Sequence, residues 1–360
     1  VLPIAVFLGM LLIWRKRGRD DPSGAHAKYV SEPPSDLSPG LAGALIDEEA
    51  NVTEVTATIV DLARRGYIDM VEDKEGKLFT KSIMTFRKLK EFDLSGFELK
   101  VANALFSKDK DSVSTKELKN HFYKHVQPIC NAIYNEVTSR GFFYGNPQKV
   151  RQRWVSIAIG AAIVLGGLSF LMATYDIAGW GYWAFGSIVS VVIVFVFSSK
   201  MPQRTAKGAE ETKKWEAFRN YLRDLTRFQD MSSAKETFEK YLPYAIAFRV
   251  EKDWVRRFQD MQVPAPTWYH PVFIPTYTGG LSGTGRAAAG TTDGTLPMGG
   301  GGFSLDSISD SLFSGLNNVS NTLTSAPSSS GSGRGAFGGG GGGFGGGFSG
   351  GGGGGGFRAG

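Results

Sequence analysis

The sequence predicts an α-helical membrane protein. A two-helix transmembrane hairpin follows a partial N-terminal span, with α+β winged-helix-like cytoplasmic units and a disordered Gly-rich tail. Three observations predict this architecture. Two uncharged apolar runs, residues 154–174 and 180–199, stand back to back, each close to the roughly 20 residues that cross a bilayer core. Basic residues gather at the ends of the apolar runs: Arg15, Lys16, Arg17 and Arg19, then Lys149, Arg151 and Arg153, then Lys200, Arg204 and Lys207. Helix-cap, helix-stop and strand signals recur twice between residues 41 and 145.

Residues 1–14 are apolar and run directly into Arg15-Lys16-Arg17. At about 1.5 Å per residue such a segment reaches only about 21 Å, too short to span. A signal peptide carries its positive charge before the apolar stretch, and here the charge follows it. The segment therefore predicts the C-terminal part of a transmembrane helix that starts upstream of Val1. The positive-inside rule places all three basic clusters in the cytoplasm of a multi-pass inner-membrane protein. Residues 15–153 and 200–360 are then cytoplasmic, and the turn around Asp176 is external. The two apolar runs contain no Asp, Glu, Lys, Arg or His, which argues against a conduction path. Small residues four apart, Ser156/Gly160, Ala162/Gly166 and Gly186/Ser190, predict close packing between the two spans.

After a linker over 15–40 comes a tandem winged-helix-like region, 41–145, opening with a short helix over 41–47. Asn51 and Glu54 form a capping-box pattern, in which each side chain reaches the other's backbone amide. Val55, Ile59, Leu62 and Ala63 recur at helical spacing, Arg64 and Arg65 suit the negative helix end, and Gly66 suits the left-handed stop. A strand over 67–71, a turn at 73–76 and a return over 77–88 follow. The second unit repeats the plan. Ser95 and Glu98 form a capping box before Leu99, Ala102, Leu105 and Phe106, and Ser114 and Glu117 form another. A helix over 126–140 stops at Gly141, ahead of an apolar strand over 142–144.

Winged helices often bind DNA, which requires a basic face. Residues 28–145 carry 16 Lys/Arg against 18 Asp/Glu, and residues 207–260 carry 12 against 10. Neither balance supplies phosphate neutralisation, so nucleic acid is disfavoured as a partner. His121 and His125, four apart, invite a zinc reading with Cys130, but the pattern lacks a metalloprotease Glu and a second ligand pair. They read as surface or packing residues. With Cys130 the sole cysteine, no intrachain disulfide forms.

A helical cytoplasmic region covers 208–263. Trp215, Phe218, Tyr221, Leu222, Leu225 and Phe228 step by three and four along an amphipathic helix. Pro243 predicts a break or kink in the next one. The aromatics around it have two candidate docking surfaces, the membrane and the first cytoplasmic region.

The run Tyr241-Leu242-Pro243-Tyr244-Ala245-Ile246-Ala247, with Glu251-Lys252 and Trp254, resembles the C-terminal region of the DUF2207 family, bacterial predicted membrane proteins related to YciQ. Pro33-Pro34 with Leu37-Ser38-Pro39, the helix end Asp61-Leu62-Ala63-Arg64-Arg65-Gly66, and a polyglycine tail with interspersed Phe are similar too. The chain departs from the pattern at Arg249, where the family has Gly, and at its last residues, Phe357 to Gly360. The resemblance implies an extracytoplasmic domain before Val1 and no established activity.

A linker over 264–302 is rich in Gly, Thr and Pro. Over 303–324, Leu305, Ile308, Leu312, Leu316, Val319 and Leu323 form one apolar stripe on an otherwise Ser/Asn-rich amphipathic helix. Ser and Asn are poor helix formers, so this helix is expected to form on a membrane or on a partner surface. The tail, 325–360, is expected to stay disordered because glycine offers nothing to bury.

The chain contains no Gly-x-Ser-x-Gly, no P-loop Lys and no Cys pair. No catalytic, cofactor-binding or metal-binding residue is nominated, and no small-molecule substrate is implied. The reading is a non-enzymatic scaffold or interaction protein that links an extracytoplasmic domain to cytoplasmic modules, with the lipid bilayer and proteins as partners. One alternative is a membrane-tethered winged-helix regulator acting on nucleic acid. Another is a component of a transport or envelope enzyme system whose activity lies outside this segment.

Overall fold

The computed structural model describes residues 2–20, 27–75, 81–106, 110–224, 234–259, 266–270 and 305–327. After α1 (Leu2–Arg17) comes a first block: α2 (Pro39–Asp47), α3 (Val52–Arg64), β1 (Ile68–Glu75), β2 (Lys81–Lys88), α4 (Gly96–Leu105), β3 (Ser112–Ser114), α5 (Thr115–Leu118) and α6 (Tyr123–Ser139). The long helices α7 (Pro147–Thr174) and α8 (Trp180–Ser198) follow. A second block closes the described chain: α9 (Ala206–Asp224), α10 (Ala234–Ala247), α11 (Glu251–Gln259), β4 (Tyr269–His270) and α12 (Leu305–Thr324). All of these lie in one compact unit, Val1–Ala326. The Gly-rich tail beyond 327 lies outside the described residues.

Among the described residues, α7 and α8 are the helices long and apolar enough to cross a membrane. Their bulky side chains point outward, with Ile163 at 70% and Phe170 at 69% exposure, as a lipid-facing surface requires. Helix α1 lies along α8, and Met10, Ala158, Val194 and Met201 form a small buried cluster shared by α1, α7, α8 and the segment after α8. The small-residue spacing acts differently from expectation. Gly186 meets Pro3 of α1, with 3.6 Å from an ideal Cβ to the proline Cδ, whereas Gly160 and Gly166 have nothing within 4 Å. The approach eased at Gly186 is therefore to α1.

The extramembrane core is built around α2 and α3. Every residue of α2 from Pro39 to Ile46 is buried, because α3, α6, α9 and α10 surround it. A helix apolar all round belongs in such a position. Its glycines set the spacing: a Cβ on Gly43 would lie 3.1 Å from the Ala247 carbonyl oxygen and 3.2 Å from Glu54 Oε1. Helix α3 is buried from Val52 to Ala63 and carries the expected capping box. Asn51 Oδ1 accepts from the Thr53 amide at 2.8 Å, and Glu54 Oε2 accepts from the Asn51 amide at 2.7 Å. Inside the helix, Thr56 and Thr58 donate back to the carbonyls of Val52 and Glu54, which satisfies two buried hydroxyls.

The sheet runs β3-β2-β1-β4. β1 and β2 pair antiparallel with Met70 opposite Phe86, and β3 extends the ladder with Val113 opposite Phe86. β4 joins in parallel, Met70 opposite Tyr269, although this segment was expected to be linker. β1 also runs through Asp73 to Glu75, where a turn was expected. Ile68, Met70, Met84, Phe86, Val113 and Tyr269 are buried, as is Glu72, which accepts from the Tyr269 hydroxyl at 2.8 Å.

Other sequence expectations need correction. Ser95 makes no side-chain cap bond, and Glu98, the other half of the expected box, is turned to Arg65 at 2.7 Å. The box at Ser114 and Glu117 forms as expected. Residues 142–144 make only an isolated bridge, Phe143 to Arg204. Of the break or kink expected at Pro243, the break does not occur, since Pro243 lies inside helix α10.

The second block covers the first. Trp215 of α9 stacks on Tyr244 of α10, with ring centroids 5.5 Å apart, and Phe218, Tyr241 and Phe248 pack edge-on around them. The α10 aromatics thus dock on the first block, in contact with α2 and α3. Helix α12 lies against α3, α5, α6, α11 and β2. Its described stripe, Leu312, Leu316, Val319 and Leu323, is buried. Each such side chain contributes about 1.5–3 kcal/mol, enough together to offset the poor helix propensity of its Ser and Asn positions. The partner surface expected for this helix is therefore the protein's own core.

Candidate functional site

The ends of α1, α7 and α8 meet the core in a region of dense polar contacts. After α8 the chain turns through Lys200 to Thr205 and lies beside the segment that leads into α7. The Tyr144 amide donates to the Gln203 carbonyl at 3.2 Å, and the Thr205 amide donates to Phe142 at 3.0 Å. Gly208 sits so close that a Cβ there would fall 1.9 Å from the Phe142 carbonyl oxygen, so only glycine fits. Thr205 Oγ1 donates to the Gly141 carbonyl, and Lys207 Nζ donates to that of Arg140.

Arg204 organises this junction. Its Nη1 reaches Asp20 Oδ2 at 3.0 Å and Glu48 Oε1 at 2.8 Å. Its Nη2 donates to the carbonyls of Leu45 at 3.0 Å and Ile46 at 2.7 Å. Its backbone amide donates to Asp20 Oδ1 at 2.7 Å. One side chain, 12% exposed, thus joins the end of α1, the end of α2 and the exit of α8. A cation at the α2 C-terminus also meets the negative end of the helix dipole. Glu48, which it holds, has a left-handed backbone with φ of 57°. Such a conformation is uncommon outside Gly, Asn and Asp, and the ion pair helps hold it. Gln203 Nε2 donates to the Arg19 carbonyl at 2.8 Å and ties α1 down a second time.

Beside Arg204 opens a cavity of about 420 Å³. Basic groups of Arg19, Arg151, Lys200 and Arg204 and acidic groups of Asp20, Asp47, Glu48 and Glu49 line it, with Trp14. Burial pushes the Asp47 carboxyl above the usual range, against the pull of Arg249 and Arg219. Burial does the same to Glu48, against Arg204. Arg151 holds its carboxylates loosely, Glu48 at 3.7 Å and Glu49 at 3.9 Å.

The structure does not bring the zinc candidates together. Cys130 is buried on α6, His125 is exposed on the same helix, and His121 is exposed in the turn before it. Burial pushes the Cys130 thiol up to about 12. The segments that carried the resemblance do meet. The Tyr244 hydroxyl donates to the Leu37 carbonyl at 2.9 Å, joining the Tyr-Leu-Pro-Tyr motif to the Pro-rich segment before α2. Arg249, where the pattern has Gly, has φ of 59°, the left-handed backbone that glycine adopts without strain. Asp61 holds Arg64 at 2.8 Å and Arg65 at 2.9 Å, so the charged helix end is a closed ion-pair network.

A family model described as the C-terminal domain of a predicted membrane protein, DUF2207, matches residues 26–258. The chain belongs to the DUF2207 family. No curated protein and no solved structure matches it. The DUF2207 match contains Glu48, Arg151, Lys200 and Arg204, and it ends in the last turn of α11. β4 and α12 therefore lie outside the matched residues while completing the core that those residues form.

The sequence pointed to Arg204 only as a topology-setting charge. Its structural role was hidden because its partners, Asp20, Leu45, Ile46 and Glu48, lie more than 150 positions away. The one local signal is Pro202 ahead of Arg204, which ends the helical run and lets the next side chains turn toward the core.

Proposed function

We propose that this DUF2207 protein is a non-enzymatic linker of the inner membrane. In this reading α7 and α8 cross the bilayer, α1 is the end of a further span, and the core faces the cytoplasm as an interaction module. An extracytoplasmic domain upstream of Val1 would then be joined to that module. The Arg204 junction is the observation that supports the reading most. An anchor alone needs only a tether, whereas this junction fastens α1, α8 and α2 through one guanidinium. A displacement of the membrane helices would be carried into α2 at the centre of the core.

Within the core, the order α4-β3-α5-α6, with β3 paired to the β1–β2 hairpin, supports a winged-helix-like unit whose wing comes from the preceding helix pair. The slight acidic excess over 28–145 supports protein partners over nucleic acid. Photocrosslinking in intact membranes tests this. A photoreactive residue at exposed Leu89 or Lys124 is expected to give discrete protein adducts. Adducts mainly to nucleic acid would favour a tethered regulator, and no adduct from either position would contradict an interaction module.

A further inference from the structure

The junction cavity has the lining of a binding site for a doubly charged small group. Its depth is set by Trp14 in its wall, by the nearby ends of α1 at Arg17 and of α8 at Ser198, and by Arg151 one turn before the apolar part of α7. Aromatic and basic residues at helix ends mark the headgroup layer of a bilayer. At about 420 Å³ the cavity falls within the range of small-ligand pockets.

Its charges are of both signs and are incompletely paired. Arg19 and Lys200 are exposed on the lining and make no ion pair among the described residues. Arg151 Nε is buried without a hydrogen-bond partner, and its terminal nitrogens stand 3.7 and 3.9 Å from carboxylates. These groups can donate to phosphate oxygens. Asp47 stands 3.8 Å from Arg219 and also lies within the field of Arg249, with its side chain 30% exposed, and Glu49 is more than half exposed. Two carboxylates so placed can accept from an ammonium group. Four cations face four anions, so an anion alone would gain little, whereas a ligand carrying both charges meets both halves of the lining.

We propose that this cavity binds a phosphodiester bearing a primary ammonium, supplied as the headgroup of an ethanolamine phospholipid in the adjoining leaflet. The phosphate lies toward Arg19, Lys200 and Arg151, and the ammonium toward Asp47 and Glu49. The proposal rests on the reading that α7 and α8 span the membrane. Choline headgroups lack N–H donors for the carboxylates, and glycerol headgroups lack the positive charge.

The test uses the full chain, first shown to resist alkaline extraction from vesicles, then analysed by native mass spectrometry with matched-chain ethanolamine, choline and glycerol phospholipids. The expected result is a preference for the ethanolamine lipid of about tenfold, the equivalent of one charge-assisted hydrogen bond. The pair Arg19→Gln and Lys200→Gln should lower binding of all three lipids, and Glu49→Gln should erase the ethanolamine-over-choline preference, with thermal unfolding unchanged. Equal binding of the three lipids, or preference for the glycerol lipid, would overturn the proposal. Equal competition by soluble glycerophosphoethanolamine would overturn the membrane source. Release by alkali would instead overturn the spanning reading, so the two failures are distinct.

Discussion

Arg204→Ala is expected to cost the folded protein about 3–5 kcal/mol, the range for removing one partner of a buried charge network. The substitution leaves the Glu48 and Asp20 carboxylates without their shared cation and the carbonyls of Leu45 and Ile46 without a donor. Asp20 is about one-third exposed and regains water, which places the expectation toward the lower end. Arg204→Lys should recover little. An ammonium is a compact point charge, and its donors do not match a fork that serves two carboxylates and two carbonyls at once. Thermal unfolding in detergent, followed by circular dichroism, reads both variants. Wild-type stability in Arg204→Ala would show that the junction contributes nothing to the core.

The second large effect is a dependence on pH at Glu54. Burial pushes its carboxyl from 4.5 up to about 8, although the Asn51 amide bonded to it and nearby Arg249 act the other way. The folded state therefore keeps a proton that the unfolded chain gives up above pH 4.5. The protonated group's contribution is fully present below pH 4.5 and is lost as pH rises toward 8. At about 1.4 kcal/mol per unit, the change between these limits approaches about 5 kcal/mol. Asp47, Glu48, Glu239 and Glu251 are raised as well and slope the same way, so the wild-type curve alone does not isolate Glu54. Glu54→Gln does, because the amide oxygen can still accept from Asn51 while no proton is lost. Denaturant midpoints at pH 5 and pH 8 should converge for this variant relative to wild type. Parallel losses in the two proteins would place the titration elsewhere.

Local chemistry was legible from the sequence wherever the partners are neighbours in the chain. The caps at Asn51/Glu54 and Ser114/Glu117 and the left-handed stops at Gly66 and Gly141 all depend on residues within one turn. The apolar runs of α7 and α8 were readable for the same reason, since length and lack of charge are local properties. The box at Ser95 does not form, and its Glu98 half is held instead by Arg65, 33 residues earlier. β4 was missed because two residues paired to a strand some 200 positions earlier leave no periodicity to detect. The stripe of α12 was visible, but its docking surface is assembled from α3, α5, α6, α11 and β2, which no single segment encodes. The candidate site was the least legible part. Arg204 satisfies the positive-inside pattern and the Glu48 network at once, and the first role masks the second in the sequence.

The proposed link requires the core to lie on the cytoplasmic side, with the α7–α8 turn outside. Cysteine accessibility measures this directly. Cys130 is buried and its thiol is pushed up to about 12, so the native protein should give little background with a membrane-impermeant maleimide. Ile177→Cys is predicted to label in intact cells, whereas Ser23→Cys and Ser330→Cys should label only after permeabilisation. Labelling of Ser23→Cys in intact cells, with Ile177→Cys protected, would contradict the orientation and with it the proposed link from outside to cytoplasm.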